Sequence, residues 1–499
     1  MSELWNKYEE YMFKMSAYGL VLGTTSFDAH TVAPKGGAEY RNERMAYISG
    51  ELYSLATSDE LLEMLKKLSE DETLDDVHKR IVSWHLKDML RDRCVPKEFF
   101  VEYEKLLMDA NVAWEKAKNE NDYQIFKPYL LKIIEMAKKK LTYLPDGDKG
   151  YDALLDEYEP GMTMAKYDQF FDLIREKLVP VIRKIRERPQ IDDSFNYDSY
   201  PADKQKELAE LIMKYIDFDF NAGILSTTEH PFTHPLQKQD VRVTTHYYEH
   251  SLISSIFSVI HECGHANYNH SVRDDLADTY VFDNISSGMH ESQSRLFENY
   301  LARSYHFWDN LFEPMKAIFP EQLKDVTQQQ FVNAVNKVEC SLVRTEADEL
   351  TYPLHVLVRY EMEKGIFDGT IDLERLDEIW DEKYEQYLGV RATKASEGIL
   401  QDVHWSDGSF GYFPTYALGS GYAAQFMKAM KKDLDIDACL ANNEFKKIKD
   451  WLREKIHQYG GLYLPSEQIV IATGEEFDPH NYTDYLVEKY SRLYGLSEE

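Results

Sequence analysis

Cysteine, glycine, proline and positive charge are all scarce in this chain, and each shortage removes a class of protein. The four cysteines, Cys94, Cys263, Cys340 and Cys439, are too few and too scattered for a disulfide scaffold or a cysteine-built zinc site. The 16 prolines and 23 glycines form no low-complexity tract and no long linker. No stretch approaches the roughly 18 continuous apolar residues that a spanning helix requires. Residues 1–7 lack the basic head and apolar run of a secretion signal. With 57 Lys+Arg against 88 Asp+Glu the net charge is −31, the wrong sign for a polyphosphate partner. The expectation is a soluble, cytoplasmic protein with neither nucleic acid nor membrane as a partner.

Material for a core is ample: 43% of residues are hydrophobic, including 24 Phe, 35 Tyr and 7 Trp, which argues against global disorder. Apolar residues recur at helical intervals across 61–68, 77–89, 126–141 and 202–216, the last with Leu208, Leu211, Ile212 and Tyr215 behind Pro201. Glycine and proline mark breaks at 34–37, 145–150, 408–414 and 419–421. With no internal repeat, one large helical body with a cleft is expected. A single segment departs from this pattern. Residues 240–248 alternate β-branched with polar side chains and predict a strand. It follows an irregular stretch, 227–239, and could pair with an extended peptide as an edge.

The strongest chemical signal is His261-Glu262-Cys263-Gly264-His265. On a helix the two histidines lie about 40° apart on one face and can reach one ion. Glu262 sits beside that face, where it can address a water rather than the metal. Cys263 lies on the opposite side and is expected to be a packed thiol. Leu252, Ile253, Ile256, Phe257, Val259 and Ile260 give this helix a buried surface. Glu291 follows on a second helix starting near Ser286 or Ser287, and would complete a His, His, Glu set with one coordination position left for water or substrate. His290 is the rival ligand, but adjacent helical positions diverge by about 100°, so only one of the pair should bind.

Further segments follow the same order. His230-Pro231-Phe232 and Asp240-Val241-Arg242-Val243-Thr244 precede the histidine pair. His290-Glu291-Ser292-Gln293, Val343-Arg344-Thr345-Glu346-Ala347-Asp348 and Gly398-Ile399-Leu400-Gln401-Asp402-Val403-His404-Trp405 come after it. This series resembles the thermostable, Taq-type metallocarboxypeptidases of peptidase family M32. The resemblance implies a mainly α-helical fold of the neurolysin and angiotensin-converting-enzyme kind, with a deep cleft and a small β-sheet near the active site. It implies a single catalytic domain over 1–499, with 1–75 as a helical segment able to act as a lid and 220–420 as the metal and substrate core. It also implies stepwise release of C-terminal residues from peptides, a homodimer, and a divalent metal, Zn2+ or alternatively Co2+.

The expected chemistry is Glu262-assisted attack of a zinc-bound water, with His261, His265 and Glu291 holding the ion. Developing charge on the carbonyl oxygen needs donors. His404 and Tyr412 are the candidates, Tyr412 by likeness of Gly411-Tyr412 to a tyrosine-bearing loop of the wider neurolysin group, with Tyr416 as substitute. A free α-carboxylate calls for a guanidinium, which forks onto two oxygens. Arg344, expected on a helix with Asp348 as its alternative structural partner, comes first, and Arg242 on the expected edge strand comes second. The rival readings are an endo-oligopeptidase or dipeptidyl-removing zinc peptidase, and a non-catalytic helical peptide binder stabilised by metal. Asp368-Gly369-Thr370-Ile371-Asp372 lacks the glycine and terminal glutamate of a calcium loop and is expected to be a turn and helix cap.

Overall fold

The apolar stripes become helices where the periodicity places them. The computed structural model describes residues 3–145 and 150–496, and in it the stripes form Asp59–Ser69, Asp76–Asp92, Tyr123–Leu141 and Ala202–Tyr215. Local chemistry fixes their ends. Ser58, Asp75 and Asp122 each accept a hydrogen bond from a first-turn amide, which satisfies a donor the helix itself cannot pair. Gly369, at φ 79°, ends Tyr352–Asp368 in the left-handed conformation, and Asp372 caps the short turn after it. The break expected at 145–150 falls, for 146–149, outside the described residues.

The protein is mainly helical, with one small sheet of order β1-β3-β2. β1 (Gly223–Thr227) runs parallel to β3 (Asp240–Thr245), and β2 (Thr233–Gln237) runs antiparallel to it. Two expectations are corrected here. The predicted strand is central rather than an edge, because β1 and β2 pair with its two sides, and it ends at Thr245 rather than at 248. Part of the stretch expected to be irregular forms β2, where Pro235, lacking an N–H, sits on an outer strand beside a register shift.

Buried apolar side chains form one large cluster around the long helices and a second beneath the N-terminal ones. The second joins Trp5, Tyr8, Leu61, Leu65 and Ile81 to Val281, Phe282 and Leu462. Glu3–Thr31 reaches the sheet through Phe27, whose ring meets Phe232 edge-on at 6.0 Å and lies near His234.

The glycines at 419 and 421 do not break the chain. Both lie inside the buried helix Pro414–Asp433, where the missing side chain permits close approach rather than a turn. A Cβ on Gly419 would come within 2.9 Å of the Glu291 side chain and 3.0 Å of the Gly288 carbonyl. Gly264 plays the same part on Leu252–Ser271, where a Cβ would meet Gln293 and Ser294 backbone at 2.6 Å. Three helices thus meet at the segment carrying Glu291. Gly419→Ala should lower stability by roughly 1–3 kcal/mol through overpacking. Gly50→Ala, on the exposed helix Ala38–Ala56 with nothing within 4 Å of the new methyl, should raise it by about 0.5–1 kcal/mol. Chemical denaturation of both variants checks the opposite signs.

Candidate metal centre

His261 and His265 lie one turn apart on Leu252–Ser271, with ring centroids 5.0 Å apart. Glu291 lies on Ser287–Arg295, whose cap is Ser286; its hydroxyl accepts from the Met289 amide at 3.3 Å. Glu291 Oε2 sits 3.6 Å from His261 Nε2 and 3.3 Å from His265 Nε2. One ligand atom from each residue lies within 4.8 Å of the others, the one such cluster among the described residues. Two imidazole nitrogens and one carboxylate oxygen converging on a point fit a divalent ion with three protein ligands.

A second ring of charge surrounds this set. His261 Nδ1 lies 2.9 Å from Glu298 Oε2. An ionised carboxylate only accepts, so Nδ1 carries the proton and Nε2 keeps its lone pair for a ligand. Burial opposes the charge on Glu298, yet Arg295, His261 and Arg303 together hold its carboxyl at about 2. Glu291 is likewise buried, and Arg295 followed by His261 and His265 pulls its carboxyl well below the ordinary range. Arg295 Nε donates to Glu291 Oε1 at 2.7 Å, and the Ser294 hydroxyl donates to Oε2 at 2.9 Å. Sequence reasoning missed Glu298 and Arg295, although 291, 295 and 298 follow helical spacing and share one face. It also missed Thr233 on β2, whose hydroxyl is 2.7 Å from Glu262 Oε2. No local pattern could have found that pairing.

The remaining candidates separate cleanly. Cys263 is fully buried and burial pushes its thiol up, as its position on the far face requires. His290 stacks on His265 at 4.5 Å and pairs through Nε2 with Asn269 Oδ1 at 2.9 Å, outside the ligand set. A cleft of about 1350 Å³ is lined by the three metal-site residues together with Glu262, Arg344, Tyr412 and Tyr416.

Arg344 is not on an α-helix. It starts a short 3-10 turn, Arg344–Glu346, with extended backbone on both sides. Its charge partner is Asp402, at 2.9 Å from Nη2, whereas Asp348 accepts from the Leu350, Thr351 and Glu339 amides. His404 does not line the cleft. It sits behind Tyr416, with Nε2 3.2 Å from that hydroxyl, and burial pushes the imidazole down to about 3. Arg242 is absent from the cleft wall as well. Both Asp240 oxygens accept from it at 2.9 Å, and its guanidinium lies 5.2 Å over the Phe27 ring.

Against known families, residues 7–490 match the model described as carboxypeptidase Taq (M32) metallopeptidase. The chain belongs to the M32 metallopeptidase family. Carboxypeptidase 1 of Bacillus subtilis is 41% identical over 489 residues, 97% of each chain. Thermostable carboxypeptidase 1 of Thermus thermophilus is 37% identical, covering 96% of this chain and 97% of that one. The crystal structure of the M32 carboxypeptidase from Deinococcus radiodurans R1 superposes with a TM-score of 0.96 at 32% identity, over 99% of this chain and 100% of the other.

In this M32 chain the helix carrying Glu291 is also held at its start. Glu159, fully buried, accepts from the Gly288 amide at 2.7 Å and from the Tyr422 hydroxyl at 3.0 Å. Burial outweighs these bonds and raises its carboxyl to about 7. The folded state therefore holds a proton that the unfolded chain releases near pH 4.5, so this contribution is complete below that pH and is lost as pH rises through 7. Between pH 5 and 8 the melting temperature of the wild type should fall further than that of Glu159→Gln. The difference is on the order of 2–3 kcal/mol, and calorimetry at the two pH values measures it.

Proposed function

We propose that this M32 metallopeptidase is a zinc-dependent carboxypeptidase that releases C-terminal residues from peptides with broad specificity. The observation that carries this reading is that His261, His265, Glu291, Glu262 and Arg344 all open on one cleft. His261, His265 and Glu291 would hold the ion, and a nitrogen and oxygen set of this kind suits zinc, with cobalt also accommodated. When bound, the metal supplies Lewis acidity toward the scissile carbonyl and the attacking water. Glu262 accepts the water's proton and returns it to the leaving amine. The Thr233 hydroxyl, 2.7 Å from Oε2 of Glu262, restrains that carboxylate.

Tyr412 donates to the oxygen on which charge develops. Its hydroxyl remains protonated, since burial and then the Glu291 carboxylate push it up. Tyr416, held from behind by His404, is the alternative donor. Arg344 reads the substrate carboxylate. Of its five N–H groups, Nε and one on Nη2 serve Asp402 and one on Nη1 serves Tyr352, so one remains on each terminal nitrogen. Asp402 keeps the guanidinium oriented and its charge compensated until substrate arrives. Arg242, whose Nε and Nη2 donate to Asp240 and which lies off the cleft wall, takes the structural role. The N-terminal helical segment acts as a lid, a reading supported by the contact of Phe27 and His30 with Phe232 on the cleft wall. The working form is a cytoplasmic homodimer, the compartment an expectation from composition and the dimer one from the family resemblance.

Two measurements test the reading. With zinc present, decapeptides with a free C-terminus should yield single-residue ladders by mass spectrometry, and C-terminal amidation should slow cleavage by about 100-fold or more. Internal fragments, or indifference to amidation, would instead indicate an endo-oligopeptidase. Glu262→Gln should keep one metal per chain while kcat falls by about 10²–10⁴. Full activity in that variant would remove Glu262 as the general base, and inactivity of the wild type toward peptides would favour a metal-stabilised binding protein.

A further inference from the structure

The helix Tyr352–Asp368 is buried along nearly its whole length, yet it carries a stripe of strongly polar side chains. Tyr352, Arg359 and Glu363 are spaced seven and four residues apart, which puts them within about 40° of one another around the helix axis. All three address the segment 400–413 or the residues it holds. The Tyr352 hydroxyl accepts from Arg344 Nη1 at 3.1 Å. Arg359 reaches Asp402 Oδ2 at 3.4 Å and lies 4.1 Å over Trp405 and 4.6 Å over Phe413.

Glu363 makes the most specific contacts of the three. Trp405 Nε1 donates to its Oε1 at 2.8 Å. The Gly411 amide donates to Oε2 at 2.8 Å, and the Tyr151 hydroxyl donates to the same oxygen at 2.7 Å. One buried carboxylate therefore fixes the backbone just before Tyr412 and the side chain just after His404. Gly411 is pressed from its other side too. It adopts φ 91°, and a Cβ there would lie 2.5 Å from the Leu154 carbonyl oxygen. Beyond this point the Tyr412 ring meets Tyr158 edge-on at 5.2 Å and stacks beside His404 at 5.6 Å. Glu363 and Leu154 thus restrain the backbone of residue 411 from both sides, immediately before Tyr412, which lines the cleft.

We propose that Glu363 is a positioning residue for catalysis, acting through Gly411 to hold the Tyr412 hydroxyl where the oxyanion forms. This rests on the reading of Tyr412 as the oxyanion donor. Glu363→Gln leaves one acceptor oxygen and sets an NH2 donor against Trp405 Nε1 or against Gly411 and Tyr151, so a donor on the 405–411 segment goes unpaired in the interior and the loop loosens, which an oxyanion donor does not tolerate.

The test is a double-mutant cycle on a blocked dipeptide with a free C-terminus, using Glu363→Gln, Tyr412→Phe and the double variant, with metal content measured in parallel. Glu363→Gln should lower kcat about tenfold, with KM and metal stoichiometry within about twofold of wild type. The double variant should be no slower than Tyr412→Phe alone, because both substitutions remove one function. If the two losses multiply, or if Glu363→Gln leaves kcat unchanged while Tyr412→Phe lowers it, the positioning role is overturned and the oxyanion reading stands. If Tyr412→Phe leaves kcat unchanged, the oxyanion reading falls and positioning through Tyr412 falls with it. Should Glu363→Gln fail to fold, Glu363→Asp keeps the charge beside Arg359 but withdraws the carboxylate by one methylene, and the same comparison is made with it.

Discussion

Close approach of three helices at two glycines sets the geometry on which the metal centre depends. Gly264 lets Leu252–Ser271 lie against the backbone at Gln293 and Ser294, and Gly419 lets Pro414–Asp433 press on the side chain of Glu291. Helix axes that meet through glycine come nearer than those separated by larger side chains. The carboxylate on one helix then falls within 3.3–3.6 Å of the two imidazoles on the other. A methyl group at either glycine would force the helices apart or tilt them, and an error of even half an ångström matters where three donors must share one ion.

Bringing carboxylates this deep carries an electrostatic cost, and the local composition answers it. Glu291, buried, and Glu298, partly buried, lie beside Arg295 and Arg303 in a network where each acid meets at least one guanidinium. Without these cations, burial would favour the protonated carboxyls and weaken both the ligand and the partner that orients His261. The same device recurs across the cleft. Asp402 lies between Arg344 and Arg359, and their positive charge keeps it ionised against burial. The wall of the cleft is thus a set of compensated pairs, each able to turn an unused donor or lone pair toward a ligand.

Two buried acids outside these networks hold backbone. Glu159 grips the start of the Glu291 helix, and Glu363 grips the loop that bears Tyr412. Both are far from either chain terminus and distant in sequence from what they fix, by 129 and 48 residues respectively. A loop cannot hold a hydroxyl in place by its own propensity, so a rigid helix supplies the acceptor.

Much of this was legible in the residues themselves. The helices followed from apolar spacing, His261 and His265 from the constraint that ligands on one helix must share a face, and Glu291 from the third ligand that this pair calls for on the next helix. Arg295 and Glu298 could have been found by extending that constraint one turn further. What local pattern could not supply was the meaning of a glycine or the partner of a charge. Gly419 and Gly421 look like a break in one dimension and are a contact in three. Arg344 has an acid four residues away and pairs instead with one 58 residues away. Periodicity and donor chemistry are properties of neighbouring residues and so are fixed by the chain. Which helix meets which glycine, which acid meets which guanidinium, and which strand lies in the middle of the sheet are decided only by packing, because those choices minimise buried unpaired charge and empty space over the whole molecule at once.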